Sequence, residues 1–177
     1  MSGRQSIGGA TGHPILRRQL QELTRRPVEG FSAGLVDDSN LLEWEVMIIG
    51  PADTLYEGGV FKARLKFPQE YPIQPPEMRF ISPMWHPNIY ADGKVCISIL
   101  HAPGEDQYGY EDAAERWLPV HTVESILISV ISLLSSETPN LDSPANVDAA
   151  KEVRTDFPAY KKKVRRLVRR SVEETYD

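Results

Sequence analysis

Cys96 is the only cysteine in the 177-residue chain, so it cannot form an internal disulfide bond. It is therefore either an inert, buried small side chain or a nucleophile. Asn88 follows Pro87, and the turn signal at residues 91–94 predicts that its segment folds back onto that of Cys96. An asparagine amide can donate to the oxyanion that forms when a thioester carbonyl is attacked. The alternative is that the amide of Asn88 only ties down the backbone of the turn.

His86 belongs to the same segment and offers a second kind of chemistry. It could act as a general base toward Cys96, as in a thiol hydrolase. A cysteine hydrolase also needs a group that lowers the thiol pKa and a third group that orients the imidazole. No such arrangement is visible in the sequence, so the hydrolase remains a rival interpretation without support.

The composition favours one globular domain with a sizeable core, because 41% of the 177 residues are hydrophobic. No apolar run approaches the length that crosses a bilayer, and the N-terminus lacks an apolar signal core. A net charge of −5 and a pI near 5.4 argue against non-specific nucleic-acid binding. The single unpaired cysteine predicts a reducing, intracellular setting.

The chain begins with residues 1–12, which are rich in serine and glycine and predict a flexible leader. One domain at residues 13–177 follows. Its first element is a helix that starts at Pro14 and ends before Pro27, with one apolar face formed by Leu16, Leu20 and Leu23.

Strand signals follow this helix. Alternating apolar and polar residues predict short strands at residues 31–35, 42–48, 61–67 and 78–81. The clearest alternation sets one face against the other: Phe61, Ala63, Leu65 and Phe67 against Lys62, Arg64 and Lys66. Four successive strands with short connections indicate an antiparallel meander.

Helical signals return after a long connection at residues 101–116, which carries five acidic side chains. A largely apolar helix is predicted after Thr122 as its N-cap. Ser143 and Pro144 predict the N-cap and the first residue of a second helix. A last helix begins near Asp156 and carries many basic residues, either as a solvated face or as an electrostatic contact. Helix, strands and then helices indicate an α+β domain.

An ordered set of motifs makes the chain resemble the ubiquitin-conjugating enzymes from about Pro14 to Tyr176. The motifs are Tyr71-Pro72 with Pro75-Pro76, His86-Pro87-Asn88 before Cys96, and Trp117-Leu118-Pro119 after it. The long spacing from Cys96 to Trp117 is similar to that of the G-type subfamily, which carries an acidic insertion beside the active site. The resemblance implies the fold of these enzymes over residues 13–177, with residues 101–116 as the acidic loop.

The resemblance implies a carrier reaction in a ubiquitin pathway. An activating enzyme consumes ATP, its ubiquitin passes to Cys96 as a thioester, and a lysine of a substrate or of ubiquitin then attacks that thioester. The chain itself is expected to bind no cofactor and no metal. Lysine-48-linked polyubiquitination and proteasomal degradation are expected from the subfamily. We also expect a monomer that acts in the cytoplasm, in the nucleus or at the cytosolic face of the endoplasmic reticulum.

The resemblance also implies roles for residues around Cys96. It makes His86 a structural residue of the turn and not a general base. Asn88 is expected to stabilise the oxyanion, to hold the loop, or both. Ser143, preceded by Asp142, stands where related enzymes place a side chain that assists the attacking lysine, although a serine is not a strong base. In the acidic loop, Glu105, Asp106 and Glu115 are expected to guide the acceptor lysine, with His101 as a hinge.

The resemblance also implies which surfaces bind partner proteins. Ligase contact is expected at the proline elbow (residues 71–76) and at the loop after the insertion (residues 118–120). The residues expected to make it are Pro72, Ile73, Leu118, Pro119 and Val120, and a RING-type ligase is the usual partner. The alternative for Ile73 and Val120 is packing within the chain. Arg17 and Arg18 match the region that meets the activating enzyme, or are a solvated face. Ser32 matches a back surface for non-covalent ubiquitin. An inactive scaffold of this fold would typically lack the cysteine.

Overall fold

The helix and strand bounds come from a computed structural model that describes residues 12–102, 116–137 and 139–176. The elements in chain order are α1 (His13–Arg25), β1 (Phe31–Asp37), β2 (Asn40–Ile49), β3 (Val60–Lys66), β4 (Glu77–Phe80), a short 3-10 helix (Ser98–Leu100), α2 (Val123–Ser135), α3 (Val147–Thr155) and α4 (Phe157–Tyr176). The α+β prediction is confirmed. The leader at residues 1–11 and the acidic residues 105, 106 and 115 lie outside the described residues, whereas Gly12 is the N-cap of α1.

The four strands form one sheet in the order β1-β2-β3-β4, and each neighbouring pair is antiparallel. The predicted meander is therefore confirmed. On β3, Phe61, Ala63 and Leu65 are buried, whereas Lys62 and Lys66 are exposed. This alternation places one face of the sheet against the core, as the sequence predicts.

Helices α1 and α2 also follow their predicted patterns. Leu16 is fully buried, and Leu20 and Leu23 pack against the core. Thr122 is the N-cap of α2, since its side chain accepts a hydrogen bond from the Ser125 N–H at 3.1 Å. Most of the apolar side chains of α2 are buried: Val123, Ile126, Leu127, Val130 and Leu134.

The predicted start of α3 at Ser143 and Pro144 is wrong. The helix begins at Val147, and Asn146 is its N-cap, whose side chain accepts from the Ala149 N–H at 3.0 Å. The backbone N–H of Asn146 in turn donates to the carbonyl of Pro87. Asparagine caps a helix at least as well as serine, and this tertiary hydrogen bond fixes Asn146 at that place.

Helix α4 begins within one residue of its predicted start. Its core side is formed by Tyr160, Val164 and Ser171, whereas most of its basic residues are exposed. The buried phenol of Tyr160 lies 3.1 Å from that of Tyr56. Within the described part of the chain, no helix combines the length and the apolar character that crossing a bilayer requires.

Candidate active site

Cys96 lies directly after a tight turn that returns the chain toward Asn88. Its backbone N–H donates to the Asn88 carbonyl at 3.0 Å, and Ile89 pairs with Val95 in an isolated antiparallel bridge. The thiol is neither fully buried nor fully exposed. The prediction that the turn brings Asn88 and Cys96 together is confirmed, and a partly accessible thiol is compatible with a nucleophile.

The turn itself is held by Gly93 and Asp92. Gly93 has φ +96°, and a Cβ atom there would lie 2.2 Å from the carbonyl oxygen of Phe80. Only glycine fits a backbone in this region at such a close approach. The carboxylate of Asp92 accepts from the Lys94 N–H and pairs with the Arg79 guanidinium at 2.7 Å. These hydrogen bonds, first that of Lys94, hold the pKa of Asp92 below its ordinary value.

His86 is a structural residue of this turn. It is buried, and its Nδ1 accepts a hydrogen bond from the Asn88 N–H at 2.9 Å. Burial lowers the pKa of His86 from 6.5 to about 4, although a hydrogen bond with the backbone of Leu133 acts in the opposite direction. The ring is therefore neutral near pH 7 and its basic nitrogen is occupied. This geometry contradicts the hydrolase interpretation, in which His86 takes a proton from Cys96.

Asn88 bridges two segments through its side chain. The buried amide donates from Nδ2 to the carbonyl of Asn140 at 3.1 Å. Together with the hydrogen bond from Asn146 to Pro87, this bond docks residues 139–146 onto the turn before Cys96. An amide nitrogen carries two hydrogens, so one remains available for a second acceptor.

The predicted residues Asp142 and Ser143 belong to this docked segment, and both are exposed. The backbone N–H of Asp142 donates to the side chain of Asn140 at 3.0 Å. Ser143 is not a helix cap, because Asn146 occupies that position. Its hydroxyl therefore has no N-cap function in α3.

His101 lies between Cys96 and the predicted acidic loop. Its Nε2 is 3.6 Å from the Sγ of Cys96, and its carbonyl accepts a hydrogen bond from the Trp117 N–H at 3.0 Å. The second bond brings together the two ends of the segment that contains the acidic residues. A hinge position for His101 is consistent with this geometry, and the imidazole is also a direct neighbour of the thiol.

A cavity of about 340 Å³ opens beside Cys96. Its lining includes Tyr90, Lys94 and His101, together with residues 74–76 of the proline elbow and residues 77–78 at the start of β4. Glu70 also belongs to the lining, so two acidic residues, Glu70 and Glu77, border the cavity. An approaching amine could reach the sulfur through it.

The two predicted ligase loops lie side by side. The indole N–H of Trp117 donates to the carbonyl of Pro72 at 2.8 Å, which fastens the elbow to the loop after the insertion. Ile73 is 62% exposed and Val120 is 80% exposed, so the alternative of packing within the chain is wrong for both. Leu118 and Pro119 are exposed as well. Together the loops form a small exposed apolar surface.

The positions predicted for other partners are also at the surface. Arg17 and Arg18 are exposed on α1, and Ser32 is exposed on β1. Their exposure is compatible both with partner binding and with a solvated face. Among the described residues, no group of three or more His, Cys, Asp or Glu side chains is arranged to hold a metal ion.

Two clusters that support the site were not predicted. Trp85 donates from its indole N–H to Glu152 at 3.1 Å, and Lys163 lies 4.5 Å above the same ring. Gln19 on α1 hydrogen-bonds both Tyr71 and Val123. Neither cluster has a local signal in the sequence, because its members lie far apart along the chain. The cap at Asn146, by contrast, could have been found from the Asp148 that follows it in the first turn.

Comparison with known proteins decides the family. The chain matches the ubiquitin-conjugating enzyme family over residues 15–168. It belongs to the ubiquitin-conjugating enzymes. It is 65% identical to ubiquitin-conjugating enzyme E2 15 of Schizosaccharomyces pombe over 159 residues, which are 90% of this chain and 94% of the relative.

The relatives also place the chain with the G type. It is 52% identical to ubiquitin-conjugating enzyme E2 G2 of Homo sapiens over 157 residues, or 89% of this chain and 94% of that protein. The structure of human ubiquitin-conjugating enzyme E2 G1 aligns with a TM-score of 0.64 and 61% identity, covering 71% of this chain and 96% of that one. As a ubiquitin-conjugating enzyme, the chain transfers ubiquitin through a thioester.

Proposed function

We propose that Cys96 is the residue that carries ubiquitin. The observation that supports this most directly is that the only thiol of the chain is partly accessible and lies beside Asn88 in an enzyme whose family works through a thioester. Ubiquitin arrives from the activating enzyme, which has consumed ATP, so the chain needs no cofactor and no metal of its own.

The second step is attack of a lysine amine on the Cys96 thioester. The amine nitrogen forms a bond to the carbonyl carbon, the bond from that carbon to Sγ breaks, and Cys96 leaves as a thiolate. Asn88 stabilises the intermediate oxyanion with the amide hydrogen that is not directed at Asn140, and the other hydrogen holds the loop. The lysine of a substrate or of ubiquitin enters through the cavity beside Tyr90 and His101.

The acceptor lysine has to lose a proton, because a free lysine has a pKa of about 10.4. Glu105, Asp106 and Glu115 of the acidic loop guide this lysine and accept its proton, while Asp142 and Ser143 help to orient it. A carboxylate beside an ammonium group also stabilises the charged form, which opposes the reaction. The proposal is that orientation and proton acceptance outweigh this effect.

A RING-type ligase binds the two loops described above, and Arg17 and Arg18 steer the activating enzyme to α1. The exposed side chains of Ile73 and Val120 support the first of these surfaces. The product is expected to be lysine-48-linked ubiquitin on proteins that are then degraded by the proteasome. The proposed setting is the cytoplasm, with the nucleus and the cytosolic face of the endoplasmic reticulum as further sites, and the chain acts as a monomer.

A loading assay with activating enzyme, ATP and ubiquitin tests the central step. The wild-type chain should form an adduct that a thiol reductant removes, and Cys96→Ala should form none. Cys96→Ser should form an oxygen ester that resists the reductant, because an ester is less reactive than a thioester. An adduct of unchanged reductant sensitivity in Cys96→Ala would refute the assignment of the carrier residue.

The role of the acidic loop has a matched control within the same loop. Glu105→Gln, Asp106→Asn and Glu115→Gln together should slow discharge to free lysine more than they slow loading. The control neutralises Glu111 and Asp112, which carry the other two negative charges of the loop. Equal discharge rates for the two variants would mean that the three named acids have no special role.

A further inference from the structure

Gln19 joins the first helix to two distant parts of the chain. Its Oε1 accepts a hydrogen bond from the backbone N–H of Val123 at 2.9 Å. Its Nε2 lies 3.2 Å from the hydroxyl of Tyr71, to which it donates. One carboxamide therefore uses both of its polar atoms on residues of other elements.

Both partners of Gln19 lie beside the exposed ligase loops. Tyr71 immediately precedes Pro72 and Ile73 in the elbow. Val123 is the first residue of α2 and comes three residues after Val120. The hydrogen bond from Trp117 to Pro72 is a second link between the same loops. The hydrogen bonds of Gln19 and of Trp117 thus hold the two loops together.

The Tyr71 end of this link is rigid. Its ring is fully buried, with ring centroids 5.0 Å from Phe67 and 5.8 Å from Trp117. A buried phenol needs a hydrogen-bond partner, and Gln19 supplies it. Burial raises the pKa of Tyr71, so the hydroxyl keeps its proton and stays a neutral partner of the carboxamide.

The Val123 end meets a general requirement of helices. The first N–H groups of an α-helix have no partner within the helix. In α2, the Thr122 side chain bonds the Ser125 N–H, so the N–H of Val123 requires a different acceptor. The oxygen of Gln19 is that acceptor, which ties the start of α2, and with it the loop ending at Val120, to α1.

We infer that Gln19 is a positioning residue for ligase recognition, which holds the turn of Pro72 and Ile73 and the turn of Leu118 to Val120 at the spacing that a ligase binds. The inference rests on the proposed assignment of these loops to the ligase. Gln19 is half-buried on α1 and is not among the residues that line the cavity beside Cys96. Its loss should therefore change binding of the ligase and leave the chemistry at the thioester intact.

Three variants separate positioning from simple loss of stability. Gln19→Ala removes both hydrogen bonds. Gln19→Glu keeps an acceptor for the Val123 N–H, and the hydroxyl of Tyr71, which also lies 3.4 Å from Oε1 of Gln19, can turn to donate to the carboxylate. This variant should therefore rescue most of the effect. Ser171→Ala is the matched control, because Ser171 on α4 also accepts from a backbone N–H, that of Val60, and neither residue belongs to a ligase loop.

The experiment measures binding of a ligase RING domain, and it measures discharge and backbone amide shifts of the chain without that domain. The probe is the RING domain that most stimulates discharge by the wild-type chain. Gln19→Ala should weaken its binding about threefold to tenfold, corresponding to the displacement of two contact loops. Discharge to free lysine without the RING domain should match wild type. In backbone NMR spectra, the amide signals of Ile73 and Val120 should both shift in Gln19→Ala. Neither signal should shift in Ser171→Ala.

The outcomes are distinct from those of the proposed function. If the wild-type chain binds no RING domain, the ligase assignment fails and this inference fails with it. If wild type binds but Gln19→Ala binds equally well, or weakens only as much as Ser171→Ala, the inference alone is overturned. Should Gln19→Ala not fold, Tyr71→Phe removes only the hydroxyl and should shift the amide of Ile73 more than that of Val120; equal or absent shifts would overturn the inference.

Discussion

The side chain of Asn88 donates a hydrogen bond to the backbone carbonyl of Asn140 at 3.1 Å, across 52 residues of sequence. The same residue accepts a hydrogen bond from the Cys96 N–H with its own carbonyl. Asn88 thus connects the segment that carries the nucleophile with the segment that carries Asp142 and Ser143. A role in holding the loop and a role in stabilising the oxyanion are compatible, because they use different hydrogens of one amide.

Replacement of Asn88 by alanine should slow lysine discharge by about a hundredfold, in the range found for loss of one oxyanion donor. The matched control is Asn140→Ala, which keeps the backbone carbonyl that Asn88 binds and removes only the bond to the Asp142 N–H. It should slow discharge by much less. Single-turnover discharge of preloaded enzyme measures both. If Asn88→Ala lowers the melting temperature but slows discharge less than tenfold, Asn88 is a loop residue and not an oxyanion donor.

The turn before Cys96 should tolerate no side chain at Gly93. In Gly93→Ala the new Cβ would lie 2.2 Å from the Phe80 oxygen in a backbone with φ +96°, so the turn has to move. We expect a loss of at least about 3 kcal/mol in the free energy of unfolding. Gly58→Ala is the control, because Gly58 has φ +85° with no atom within 4 Å of the added Cβ, and it should lose only about 1–2 kcal/mol.

Urea unfolding of the two glycine variants measures this difference directly. The Gly93 variant should also load ubiquitin more slowly, since the displaced turn carries Cys96. Equal losses of stability in the two variants would show that the positive φ accounts for the whole effect and that the contact with Phe80 contributes nothing.

His86 predicts a specific pH dependence of stability. The native state takes up its proton only near pH 4, whereas an unfolded histidine titrates near pH 6.5, so the unfolded state binds more protons in between. The free energy of unfolding should therefore rise with pH across this window. The contribution is complete above pH 6.5 and is lost as the pH falls toward 4; it amounts to roughly 3 kcal/mol at 1.36 kcal/mol per pKa unit.

The variant His86→Gln isolates this contribution, because a glutamine can still accept a hydrogen bond and does not titrate. It should be less stable than wild type at pH 7. The difference between the two proteins should then shrink as the pH falls from 6.5 to 4, measured by urea unfolding at each pH. A difference that stays constant over this range would mean that His86 is not buried as a neutral ring.

The strands and most helices follow from local periodicity, because each has one face against the core. β3 shows this in its alternation of Phe61, Ala63 and Leu65 with exposed lysines. The predicted start of α3 is wrong because Ser143 and Asn146, three residues apart, are both residue types that cap helices. The acidic residue Asp148 in the first turn favours Asn146 locally, and the hydrogen bond from the Asn146 N–H to the Pro87 carbonyl fixes Asn146 at the cap.

In the predicted site, too, local contacts could be predicted from the sequence and long-range contacts could not. The proximity of Asn88 and Cys96 could be read from a proline, a glycine turn and a short spacing. The contacts of Gln19 could not, because Tyr71 is 52 residues away and Val123 is 104 residues away. A glutamine on a helix has the same local preference whether it faces solvent or fastens two loops, so only the tertiary structure identifies its role.

Trp85, directly before His86, should depend on Glu152 for its position. Glu152 accepts the indole N–H of Trp85 at 3.1 Å and pairs with Lys163 at 2.8 Å, and its side chain is only 15% exposed. Glu152→Ala leaves that indole N–H without its acceptor and should cost about 1–2 kcal/mol of stability. Lys163→Met keeps the alkyl stem over the ring and should cost less than about 1 kcal/mol, since the lysine is half-exposed.

A control for this cluster exists on the same helix as Lys163. Glu174 pairs with Arg170 at 2.7 Å, and both side chains are well exposed, so Glu174→Ala should cost no more than about 0.5 kcal/mol. The double variant Glu152→Ala with Lys163→Met should lose less than the sum of the single losses, because the two residues share one interaction. Urea unfolding of all four variants gives these values. If Glu152→Ala costs as little as Glu174→Ala, the cluster does not hold the segment that leads to His86, and the position of Trp85 depends on core packing alone.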